Sequence, residues 1–123
     1  MLRNTVLATM PAIVLAASAA GASELNGAQI IEMLTGNSIV HPDFGCAHYP
    51  REGRTVHYLD GSILEGDWSV RGDIYYSNGQ CGLTGCRVTG AFPEIVFRRL
   101  DGRYVQPAQI VKGNYCKRDG VIS

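Results

Sequence analysis

The chain reads as mainly β, a small antiparallel meander of six to seven strands curled into a barrel-like sheet, with one short N-terminal helix. Three observations lead to that class. From residue 55 to residue 111, short runs rich in Val, Ile, Tyr, Phe and Thr are separated by Asp60-Gly61, Gly72, Asn78-Gly79, Gly90 with Pro93, and Asp101-Gly102, which is the punctuation of tight antiparallel turns. Within the strongest run, 63–70, Leu64, Gly66, Trp68 and Val70 alternate with Ile63, Glu65, Asp67 and Ser69. That is the period of a half-buried strand. Finally, four cysteines follow residue 45, as suits a small domain whose modest core benefits from covalent support.

Residues 1–22 open with Arg3, continue through an apolar run containing Val6, Leu7, Ile13, Val14 and Leu15, and end in small residues. This is the pattern of a signal peptide with cleavage after Ala22. The apolar run is interrupted by Thr9 and Pro11 and is short against the ~20 residues of a bilayer span, so no stable membrane anchor is expected. Residues 23–116 then form a single β domain, periplasmic or secreted, and 117–123 a frayed tail. Removing the leader takes one basic residue from eleven and leaves ten against eleven acidic ones. A near-neutral chain offers no basic footprint for nucleic acid.

After the leader, Asn26 and Gln29 have the spacing of a reciprocal helix cap, and Ile30, Ile31 and Leu34 share one face. A helix over 27–35, stopped at Gly36, is too short to stand alone and must dock on the sheet. Residues 37–40 begin the β region and 41–46 read as loop. Strands are expected at 55–59, 63–70, 73–77, 86–89, 94–100 and 103–111. Pro107 cannot donate to a ladder, so the last strand is expected to be an edge, to bulge, or to leave the sheet there.

Cys46, Cys81, Cys86 and Cys116 allow three pairings, and sequence alone does not choose between them. We favour Cys81–Cys86 as a clip between neighbouring strands and Cys46–Cys116 as a tie from the first strand region to the last. Exported thiols are usually oxidised, and Cys-x4-Cys lacks a second close pair, so neither metal nor cofactor is expected.

No catalytic constellation emerges. His41, His48 and His57 have no nucleophile or carboxylate partner by spacing, and read as surface or hydrogen-bonded histidines. Glu65 and Asp67 share a strand face that reads as solvated. Arg71-Gly72-Asp73 reads as a turn, and Arg98 and Arg99 fall on opposite faces. The aromatics remain. If the sheet curls around a cavity, Trp68, Tyr58, Tyr75 and Tyr76 are candidate ligand-binding side chains.

The helix ending in Leu34-Thr35-Gly36-Asn37-Ser38, the Asp60-Gly61 turn, Gly66-Asp67-Trp68, the Cys81 and Cys86 pair, Asp101-Gly102 and the closing Val111-Lys112-Gly113-Asn114 resemble, in their order, the exported bacterial family called domain of unknown function 995. The resemblance implies a small exported β domain and carries no activity. Two functions follow as expectations. One is a non-catalytic interaction or inhibitor-type module of the cell envelope that meets an exported protein partner. The alternative is a periplasmic protein that binds a small apolar ligand.

Overall fold

The computed structural model describes residues 23–42, 45–59 and 61–118. Eight antiparallel strands close into a barrel in simple sequence order, β1 (Ser38–His41), β2 (Gly45–Arg51), β3 (Arg54–Leu59), β4 (Ser62–Arg71), β5 (Ile74–Ser77), β6 (Cys86–Ala91), β7 (Glu94–Arg99) and β8 (Val105–Val111). Helix α1 (Gly27–Leu34) precedes the barrel and a single turn, α2 (Tyr115–Arg118), follows it. The expected signal peptide and residues 119–123 of the expected tail lie outside the described residues.

The additional strand is β2. Pro50 and the Gly45 that starts it disguise a strand in sequence, but Ala47 and Tyr49 alternate inward once Ile39↔Ala47 and Ala47↔His57 are paired. Its neighbours supply the order that its own residues only weakly prefer. The last strand is not an edge. β8 pairs with β7 from Val105 to Gln109, including Val96↔Pro107, and with β1 through Ser38↔Val111, Ile39↔Ile110 and Val40↔Gln109. Because β1 ends its pairing at Gln109, Pro107 lies beyond it and its missing N–H breaks no bond to β1.

The turns also depart in one place from their sequence reading. Leu59↔Ser62 closes a two-residue hairpin with Gly61 at φ 80°, as a primed turn requires. Asn78-Gly79, in contrast, makes no such hairpin. It opens a connection over 78–85 that turns at Gly82 (φ 56°) and Gly85 (φ 89°).

Helix α1 is capped reciprocally. The Asn26 side chain accepts from the Gln29 backbone N–H at 2.9 Å, and the Gln29 side chain accepts from the Asn26 N–H at 2.8 Å. Its buried face, Gly27, Ile30 and Leu34, docks at the β4–β5 end of the barrel, where Asp73 Oδ1 accepts from the Gly27 N–H at 2.9 Å. Gly27 approaches so closely that a Cβ there would overlap the Gly72 carbonyl oxygen. Ile30 and Leu34 join Ile39, Tyr49, Trp68, Val88, Ile95 and Ile110 in one core.

On β4 the expected apolar face is half-buried at Gly66 and Val70 and fully buried only at Trp68. Trp68 is 3 % exposed, but Leu64 on the same face is 55 % exposed, because it stands at the rim where the bore opens. The four sulfurs form Cys46–Cys116 and Cys81–Cys86, with Cα separations of 5.6 and 5.3 Å.

Candidate functional site

In a strand, alternate side chains face the bore, so the register decides what an unfilled bore is lined with. Ile39 and His41 of β1, Ala47 and Tyr49 of β2, and His57 and Leu59 of β3 share the inner face. Tyr75 and Ser77 of β5 and Phe97 of β7 complete it. At the end opposite α1 these side chains surround a pocket of about 420 Å³. That is within the range of small-molecule sites.

The floor is aromatic. Tyr49 and Tyr75 join their hydroxyls at 2.8 Å, and the Tyr75 and Phe97 ring centroids are 5.1 Å apart. Beneath them Trp68 stands edge-on to Tyr49 at 5.3 Å and donates its indole N–H to the carbonyls of Arg51 (3.1 Å) and Arg54 (3.0 Å). Its burial and satisfied N–H place Trp68 behind the pocket, as part of the floor's support.

The rim is braced. Residues 77–81 and Tyr104 form part of it, and the Cys81–Cys86 bridge closes the loop that follows. Arg99 donates to the Gln80 carbonyl at 3.3 Å and to Thr84 Oγ1 at 3.4 Å, with its Nε 3.2 Å from Asp101 Oδ2. Gly66 leaves the space that the Asn78 side chain occupies. A Cβ there would lie 2.9 Å from Asn78 Oδ1.

Burial governs the protonation of the site. It pushes His41 down to about 4, helped by the neighbouring His57 and opposed by a hydrogen bond to the Pro107 carbonyl. It also lowers His57. The floor hydroxyls move the other way, Tyr75 up to about 12 and Tyr49 well above the usual phenol value, again through burial. At neutral pH the pocket therefore presents neutral imidazoles and neutral phenols.

Of the side chains singled out in sequence, Tyr75 lines the pocket and Trp68 backs it. Tyr58 and Tyr76 point outward. Tyr58 is buried on the outer wall with Cys46, Cys116, Val56 and Tyr115. Tyr76 carries the Arg71 guanidinium 4.0 Å above its ring. His48 also faces outward, its Nδ1 3.0 Å from the Asn37 carbonyl, whereas His57 faces in, so the two do not converge. Glu65 is exposed on the outer face, 2.5 Å from Arg54. Among the described residues no group of three or more His, Cys, Asp and Glu could hold a metal.

His41, Ala47 and Tyr49 were not legible as pocket residues, because 41–46 reads as loop and β2 is weakly marked. The usable signal was the alternation of Ala47 and Tyr49 with Cys46 and His48. No protein-family model, curated protein or solved structure matches this chain.

Proposed function

We propose that this disulfide-stabilised barrel is an exported binding protein that holds a small, largely apolar molecule in its open end. The observation that carries the reading is the unfilled bore. An eight-stranded barrel is narrow enough to be filled by its own side chains or to hold one small ligand, and here the space above Tyr49, Tyr75 and Phe97 is left free, about 420 Å³ of it. Export rests on the leader-like residues 1–22 and agrees with two disulfides. Among the described residues no helix is long and apolar enough to cross a membrane.

The test is a native mass spectrum of protein purified gently from producing cells, compared with the mass of the denatured chain. A discrete excess mass is expected. A bare chain that also takes up no apolar probe would refute the reading.

A second reading, an envelope module that docks on another exported protein, is favoured by one feature. Ile63, Leu64, Leu83, Leu100 and Val105 are exposed at strand ends and connections of the same open end, and Leu83 is 91 % exposed. Apolar rims of this kind mark contact surfaces. Crosslinking through residue 83 in intact cells distinguishes it, since a discrete protein adduct is expected only if a partner covers that end.

A further inference from the structure

Resting on the pocket reading above, we propose that the occupant is an uncharged molecule with an apolar body and a hydrogen-bonding group, selected against its ionised analogues, because the pocket wall combines imidazoles and hydroxyls with no Lys, Arg, Asp or Glu among its described residues. An ionised group brought into such a wall loses its hydration and finds no countercharge. Arg99, paired across the ladder with the buried Cys86, is engaged by Gln80, Thr84 and Asp101 at the rim.

His57 is a polar handle on that wall, beside the side chains of Ser77 and Tyr104. Tyr49 and Tyr75 already bond to each other on the floor, and His41 is held by the Pro107 carbonyl. Among the described residues the His57 imidazole has no hydrogen-bond partner, and burial keeps it neutral, so it has one donor and one acceptor to offer. A phenol, an alcohol or an amide on an otherwise apolar frame satisfies that geometry. A carboxylate or sulfonate does not.

The test titrates the full oxidised chain with N-phenylnaphthylamine, which is uncharged, and with anilinonaphthalene sulfonate, the same frame bearing a sulfonate. Energy transfer from Trp68, the single tryptophan, reports bound probe, and its loss in Ala47→Phe, whose larger side chain projects into the pocket, assigns that binding to the bore. The amine is expected to bind with transfer and the sulfonate to bind roughly ten-fold more weakly or worse. His57→Lys should narrow that gap, and Gln80→Lys at the exposed rim serves the same purpose if the inner variant does not fold. Equal affinity for both probes in the parent protein would overturn the selection while leaving the pocket reading intact. Absence of transfer with either probe would overturn both.

Discussion

At one end of the barrel Ile30 and Leu34 fill the bore and Gly27 touches the wall, while at the other end the bore is empty down to Tyr75 and Phe97. The two ends are held together differently. The closed end relies on apolar burial, a capped helix and the Leu25 backbone bond to Val88 at 2.8 Å. The open end forgoes that burial, and its wall is tied by bonds instead. Cys81–Cys86 clips the β5–β6 connection, and Cys46–Cys116 pins α2 to the outside of β2 beside Tyr58. At the other end of β1, Ser38, fully buried, holds the chain that leads into α2 by donating to the Gly113 carbonyl at 2.6 Å and accepting from the Tyr115 N–H at 3.1 Å. A barrel that keeps a cavity must find elsewhere the order that a filled core would have supplied.

That contrast can be broken at its strongest point first. Trp68→Ala removes the support of the pocket floor and leaves two backbone carbonyls without their donor, so a loss of about 3–5 kcal/mol is expected in chemical denaturation followed by circular dichroism. A change below ~1 kcal/mol would mean the floor is not packed on Trp68.

The disulfides come next. Replacing Cys46 and Cys116 together by Ser should cost ~4 kcal/mol, since that bridge closes a loop of 70 residues, and replacing Cys81 and Cys86 should cost ~2 kcal/mol because theirs spans 5. The smaller loss should nevertheless have the larger effect on probe binding, because Cys81 belongs to the pocket rim. If both double variants bound N-phenylnaphthylamine equally, the clip would have no role at the open end.

Gly27→Ala sharpens the comparison from the closed end. Its methyl group meets the Gly72 carbonyl, and the helix must shift, so a loss of about 1–3 kcal/mol is expected with pocket affinity unchanged. Thermal unfolding and a probe titration on the same sample separate the two effects.

The smallest effect is that of pH. His41 and His57 both have folded values below the ordinary 6.5, so below that pH the unfolded chain takes up protons that the barrel does not. Their contribution to stability is complete above about 6.5 and declines as pH falls toward about 4, where His41 protonates in the folded state. His41→Gln should flatten the stability profile across that window. An unchanged profile would show that other groups set the acid limit.

Local chemistry explains why so much of the fold is readable. Asn26 and Gln29 announce the helix start, Leu59 to Ser62 a hairpin, and Gly66, Trp68 and Val70 the inner face of β4, because each depends on residues a few positions apart. The same chemistry explains the misreadings. Asn78-Gly79 has the residues of a two-residue turn, yet the Asn78 carboxamide lies over Gly66 and accepts from the Asp67 N–H, so the chain continues to Gly85 before β6 begins. Tyr58 and Tyr76 look as inward as Tyr75 until register places them.

The sequence by itself determined the class, a β meander with one docked helix, through alternation, turn dipeptides and a cap. The tertiary structure decided the closure of β8 onto β1, the recruitment of β2, and therefore the pocket. Closure depends on hydrogen bonds between Ser38–His41 and Val105–Val111, segments at opposite ends of the domain, and no local pattern encodes a pairing at that distance. Once those strands meet, His41, His57 and Tyr75 face one another across the bore.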